Sequence, residues 1–318
     1  MDCSASYARA LLRRLRIGDE AAQQAAAKAL GRLASSGASQ CEAIAAAGGI
    51  PALARCLAAS RSATVLDAVA GALVPLVTDS QSSALQLVQS GAVLCIPRLV
   101  RSSSKAVVMS ACALAGSLAG MLDDAFAGPF LAAGGMAALI DLLESAADEH
   151  VQAAVLGALT GLTALSPGAQ EAAAGSAPAP LARLLHTSGS IQVLHGAAAL
   201  AHNLARQGGK DALLAAGSAA ALLAAMDRAG GDAAMQNFVA TALQSLSCDS
   251  LPAKAAITAA GGVQAMVHLL HSPDPIVRCS AAAVLHNMSD DARDPIQQAR
   301  SGLQWPVKVT AAGVGQTL

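Results

Sequence analysis

Few residues in this 318-residue chain combine type and spacing in a way that suggests chemistry. His268 and His271, three apart, would share one face of a helix, as two ligands of a zinc ion must. No third ligand stands nearby, and the pair closes a Leu-rich run just as His186 closes Leu184-Leu185. Asp123-Asp124 and Asp148-Glu149-His150 bring together groups that acid–base catalysis uses. Both fall where helices are expected to join, where carboxylates cap helix N-termini or face solvent. Asn287-Met288-Ser289 has the form of a glycosylation acceptor but falls inside an expected helix. Gly116-Ser117-Leu118-Ala119-Gly120 has its serine in the wrong place for a nucleophile elbow. Neither a phosphate-binding loop nor a dinucleotide fingerprint is present. The expectation is a chain that is not an enzyme and holds no metal and no cofactor.

The elements behind these residues repeat. Gly48, Gly91, Gly134, Gly175, Gly217 and Gly261 open the same small turn at spacings of 43, 43, 41, 42 and 44 residues. A helix that ends at each would need a left-handed residue, the conformation glycine adopts without steric cost. Leu33, Leu76, Leu118, Leu162, Leu204, Leu246 and Met288 keep the same period. So do Leu53, Ile96, Leu139, Leu181, Leu222 and Met266 just after the turns. Ile44, Leu87, Phe130, Leu213 and Ile257 stand four residues before them. Three apolar registers locked to one period predict three helices per unit, stacked as a solenoid.

Three helices in 41–44 residues with a glycine between the first two resemble the armadillo repeat. The likeness is clearest at Ala259-Ala260-Gly261-Gly262-Val263, followed by Val267–Ser272 and Val284–Ser289, and nearly as clear around Gly48. It is weakest around Gly175, where Glu171 replaces the apolar anchor and Pro178 and Pro180 crowd the second helix. The resemblance implies an all-α, right-handed superhelical solenoid. Residues 1–36 are expected to form a half-repeat. Six units would follow at 37–79, 80–121, 122–166, 167–207, 208–249 and 250–291. A partial seventh repeat and tail would fill 292–318, restarting at Gly302. Neither end shows an obvious polar cap, so the ends are expected to be covered by a partner or the chain to be a piece of a longer protein.

In armadillo proteins the third helices line a concave groove, and one Asn per repeat binds the backbone of an extended peptide. An amide suits that task because it both donates and accepts. Here that position reads Arg32, Pro75, Ser117, Gly161, Asn203, Ser245 and Asn287. Four residues earlier, where nuclear-import members carry Trp, stand Lys28, Gly71, Ala113, Gly157, Ala199, Thr241 and Ala283. Recognition of basic import signals on an aromatic shelf is therefore not expected. A turn further back come Gln24, Asp67, Met109, Ala153, His195, Asn237 and Cys279. The candidate protein-binding residues are thus His195, Asn203, Asn237, Thr241, Ser245 and Asn287.

Composition narrows the functional classes. The chain is 54% hydrophobic but only 2% aromatic and 13% charged, with a net charge of −1. A nucleic-acid binder would show a basic face and a basic pI, whereas only Arg9, Arg13, Arg14 and Arg16 cluster. The seven cysteines show no C-x-x-C pair and are expected to be buried, reduced thiols of the cytoplasm or nucleus. No signal peptide is visible, and the uncharged run Ala106–Leu122 coincides with a third helix rather than a membrane span. The leading expectation is a non-catalytic protein–protein interaction scaffold, binding a partner, such as an extended peptide segment, through the groove or the ends. Alternatives are a structural subunit of a large complex such as a ciliary axoneme, or part of an armadillo-containing ubiquitin ligase. Expected localisation is cytoplasmic, nuclear or ciliary.

Overall fold

The computed structural model describes residues 3–78, 80–122 and 124–289. Every regular element within them is helical. Two helices come first, α1 (Cys3–Ile17) and α2 (Glu20–Ala34). Then come α3 (Ala38–Ala46), α4 (Gly49–Ala59) and α5 (Ala63–Thr78). The next triplet is α6 (Gln81–Gln89), α7 (Ile96–Val100), entered through a 3₁₀ turn at Ala92–Cys95, and α8 (Lys105–Leu122). It is followed by α9 (Asp124–Ala132), α10 (Gly135–Ser145) and α11 (Glu149–Leu165). Three more triplets complete the stack. These are α12 (Pro167–Ala174), α13 (Pro178–Thr187) and α14 (Ile191–Arg206), then α15 (Lys210–Ala215), α16 (Ser218–Arg228) and α17 (Ala233–Ser247), then α18 (Leu251–Ala259), α19 (Gly262–Leu269) and α20 (Pro275–Ser289). The restart at Gly302 and the tail lie outside the described residues.

The corner between first and second helices turns on one glycine. Gly48, at φ 79°, closes α3 by donating to the Ala45 carbonyl, and its own carbonyl accepts from Ala52 in α4. The two helices meet at 73°. Gly91, Gly134, Gly217 and Gly261 repeat this left-handed geometry, at φ between 72° and 80°. Gly175 does not, contrary to the sequence reading. Its backbone stays right-handed at φ −80°, and Ser176 and Ala177 both donate to the Ala173 carbonyl. The missing anchor supplies the reason. Elsewhere a large side chain fills the corner: a Cβ on Gly49 would fall 2.4 Å from Ile44 Cγ2. Here Glu171 points to solvent, and the small Ala173 and Ala177 are buried instead, so the corner closes without a left-handed residue.

The third helices pack side by side in one layer, in the order α2, α5, α8, α11, α14, α17, α20. Small residues make this close approach possible: a Cβ on Gly31 would stand 3.3 Å from Ala72 Cα, and one on Gly196 2.9 Å from Leu156 Cβ. Beneath the layer, Leu76, Leu118, Leu162, Leu204, Leu246 and Met288 are buried, as are Leu53, Leu139 and Leu222 of the second helices. Each such Leu contributes about 1.5–3 kcal/mol on burial, summed along neighbouring units as in other solenoids. Helix α8 is by length and composition apolar enough to cross a membrane, and half of it is buried between α5 and α11.

Two further expectations need correcting. The N-terminal end is not an open apolar face. Helix α1 buries Ala8, Leu11, Leu12 and Leu15, which recur at helical spacing, and exposes Arg9, Arg13, Arg14 and Arg16 together with Tyr7 and Ile17. Nor are the cysteines uniformly buried. Cys56 and Cys112 are, and burial pushes the Cys112 thiol up to about 12. Cys41 and Cys95 are half-buried and Cys248 and Cys279 exposed, because they stand off the apolar stripes of their helices.

Candidate protein-binding face

Each third helix buries two sides against its neighbours and the second helices, leaving one stripe outward. In α5 the outward stripe includes Asp67, Gly71, Val74, Pro75 and Thr78, and in α8 it includes Met109, Ala113 and Ser117. Because the side chains at Gly71 and Ala113 are absent or small, an open groove of about 1060 Å³ forms over α5. Gly71, Val74, Pro75, Thr78, Met109 and Ala113 line it. A second depression of about 520 Å³ adjoins it, sharing Ser35, Gly71 and Ser110 and adding Lys28, Arg32 and Asp67. Pro75 sits inside α5 and has no N–H for the carbonyl of Gly71, four residues back. That removes the usual helical donor from an acceptor on the groove's wall.

The six residues singled out from sequence lie on the α14–α17–α20 part of the layer, and most of their polar atoms already have partners. Asn203 is 7% exposed, and its Nδ2 donates to the Thr160 carbonyl (3.0 Å) and Thr163 Oγ1 (3.2 Å) of α11. Asn287 repeats the arrangement toward α17, donating to the Gln244 carbonyl (3.1 Å) and Ser247 Oγ (3.2 Å). Asn237 Oδ1 accepts from Ser280 Oγ at 2.7 Å. Thr241 Oγ1 donates back along its own helix to the Asn237 and Phe238 carbonyls. Ser245 Oγ is 2.9 Å from His202 Nδ1. His195 Nε2 donates to Asp232 Oδ1 at 2.8 Å, and its ring lies 5.4 Å from that of Phe238. The helix layer brings all six onto one side, but all except Thr241 serve as stitches between successive units. Those stitches hold the two backbone-reading amides as donors inside the molecule.

His202, Asp232 and Ser280 are partners that the sequence reading missed. Asp232 caps α17 by accepting from Met235 N at 2.7 Å, and that bond together with the one from His195 holds its carboxyl below the usual range. His202 Nδ1 also stands 3.2 Å from the Thr241 carbonyl, which can only accept, so a hydrogen bond between them requires the ring's proton on Nδ1. Burial keeps the His202 imidazole below its ordinary value, with nearby Arg206 acting the same way. The signal for these pairs was present in the sequence. The separations Asn203–Thr160, Asn287–Gln244, Ser280–Asn237 and Ser245–His202 are all 43 residues, one repeat.

Charge divides the molecule more sharply than the polar residues do. Residues 6–78 carry eight Arg and Lys against four Asp and Glu, while residues 79–289 carry nine against thirteen. In the second region most cations are occupied, Arg206 being the exception among the described residues. Arg98 donates to the Leu57 carbonyl (2.9 Å), Arg183 to that of Glu144 (2.9 Å), and Arg228 to those of Leu185 and His186. Each guanidinium thereby caps the C-terminal end of the preceding unit's second helix. Lys105 pairs with Asp148 at 2.6 Å, which pulls the Asp148 carboxyl down. In the first region Arg9, Arg13, Arg14, Arg16, Lys28, Arg32 and Arg61 make no hydrogen bond or ion pair among the described residues. Arg55 bonds only its own helix, at the Pro51 carbonyl.

Similarity to known proteins agrees with this architecture. The model of the Armadillo/beta-catenin-like repeat matches residues 251–290. No curated protein matches the chain. Among solved structures, an engineered protein is 29% identical, with a TM-score of 0.85 over 92% of this chain and 71% of its own. Computationally designed armadillo repeat proteins for modular peptide recognition align with a TM-score of 0.62 at 20% identity, over 88% of this chain and 98% of theirs. A designed armadillo repeat protein in complex with the peptide (KR)4 aligns at 0.52 and 18% identity, over 88% of this chain and 98% of its own. A stack of three-helix units turned on glycine corners, a repeat match at residues 251–290 and these structural likenesses together give the chain the fold of an armadillo-repeat solenoid.

Proposed function

We propose that the chain is a non-catalytic scaffold that holds an extended segment of another protein against the third-helix face, in the groove over α2, α5 and α8. The observation that carries this reading is the open groove beside Gly71 and Ala113, where small side chains, and a Gly71 carbonyl that lacks the Pro75 N–H, admit a peptide main chain. The designed relatives of the same fold that recognise peptides support it. The buried, unpaired Cys56 and Cys112 support a reducing compartment, cytoplasmic or nuclear.

Filling the groove tests the reading. Gly71 is exposed in mid-helix, and a Cβ there meets only Ser110 Oγ, at 3.8 Å. Gly71→Trp should therefore fold normally while occupying the groove. Peptides selected by display on the parent protein should lose binding to Gly71→Trp and keep it to Ala199→Trp, the equivalent change on α14. Loss only in Ala199→Trp would move the site to the C-terminal polar stretch. Retention by both variants would remove the third-helix face from the account.

A further inference from the structure

Resting on that reading, we propose that the segment held in the groove is acidic at one end and apolar at the next: one or two carboxylate side chains against Lys28 and Arg32, then an aliphatic side chain over α5 and α8. Lys28 and Arg32 stand four residues apart on α2, so both present their cations on the same stripe. Both are exposed and neither has an anionic partner among the described residues. The carboxylate that shares their depression, Asp67, already accepts from Ser110 Oγ at 2.8 Å. The guanidinium of Arg32 can take a carboxylate through two parallel hydrogen bonds, and Lys28 offers a compact charge one turn away.

The adjoining stretch has different chemistry. Past Gly71 the wall becomes Val74, Pro75, Met109 and Ala113 on one side and Cys41 and Glu42 of α3 on the other, with no cation lining it, so an aliphatic rather than a second acidic side chain suits this stretch. A branched or unbranched aliphatic side chain can cover that surface, while the Gly71 carbonyl accepts a backbone N–H from the segment. At the same two positions of the later third helices no cation recurs, so among the described residues the combination of free charge and open space is confined to this end.

The test uses three fluorescein-labelled peptides in a Gly/Ser background, carrying an aspartate pair followed by leucine, the same with asparagines, and the same with lysines. Anisotropy titrations of the 318-residue protein should rank the aspartate peptide tightest, with affinity falling as salt rises. Lys28→Glu with Arg32→Glu lies on an exposed face, and unchanged circular dichroism will show that it folds. It should lose about tenfold for the aspartate peptide, the size expected when two exposed pairs turn repulsive, and should gain for the lysine peptide. Equal binding of the aspartate and asparagine peptides overturns the inference. So does a loss that follows Arg16→Glu, Arg55→Glu and Arg61→Glu instead, since those arginines flank a separate depression beside Gln23. Asparagine or lysine peptides that bind best and are lost in Gly71→Trp leave the groove reading standing while the acidic preference falls. No binding of any of the three overturns it.

Discussion

In the α2–α8 part of the stack Lys28 and Arg32 face an open depression with no partner, whereas between α13 and α16 Arg228 is drawn onto the carbonyls of Leu185 and His186. The same contrast holds for the uncharged groups. Pro75 has no side-chain donor at the position where Asn203 and Asn287, further along, reach across to the neighbouring helix. A shared repeat thus serves two ends: its later units use polar side chains to fix one unit on the next, and its earlier units leave them available. What separates the two is satisfaction of donors rather than their number, because a donor bonded within the fold is already committed and must be released before it can serve a ligand.

The hydrophobic layer beneath both regions is common, so the largest effects should not distinguish them. Leu76→Ala and Leu246→Ala, both fully buried, should each cost about 2–5 kcal/mol in urea melts, toward the lower half where Ala-rich surroundings collapse. A cost below about 0.5 kcal/mol at either would show a surface position. The stitches should separate the regions next. Asn203→Ala leaves the Thr160 carbonyl and Thr163 Oγ1 without their donor, which should cost about 1–3 kcal/mol. Ser117→Ala, on the corresponding stripe of α8, removes only an exposed bond from Thr78 and should cost less than 0.5 kcal/mol or so.

Acid should weaken the C-terminal region selectively. His202 is held below its ordinary 6.5 by burial, so the folded state binds fewer protons there than the unfolded chain. Stability from this group is present above about pH 6.5 and is lost as pH falls from there through the folded value. His202→Gln should flatten that slope between about pH 7.5 and pH 5, measured by urea midpoints at each pH. An unchanged slope would place the titration elsewhere. The smallest effect is expected at the cations of the first region. Lys28→Ala and Arg32→Ala should leave stability within about 0.5 kcal/mol, since neither makes a bond within the described fold.

The sequence made the solenoid legible because apolar anchors are chosen by one requirement, burial, and Ile44, Leu87, Phe130, Leu213 and Ile257 all meet it. Gly175 escaped because its corner depends on what fills it, and Glu171 leaves that place to alanines. The candidate site was only half legible. Position on a helix told that Asn203 and Asn287 stand beside the ladder, but a small rotation decides whether such a side chain meets solvent or the next helix. Thr160, Thr163, Gln244 and Ser247 settle that by offering acceptors. The free cations at the other end could not be recognised by type, because Arg32 on a third helix and Arg183 on a second are the same residue, and only Arg183 has a helix end within reach.

The central claim is that ligand binding belongs to the first region and stitching to the second. It is tested most directly by photo-crosslinking the aspartate–leucine peptide, carrying a photoreactive leucine, to the parent protein and mapping the adducts by mass spectrometry. The account predicts adducts on α5 and α8, around Val74, Met109 and Ala113, that disappear in Gly71→Trp. Adducts concentrated on α14, α17 or α20, around His195, Asn237 or Thr241, would contradict it.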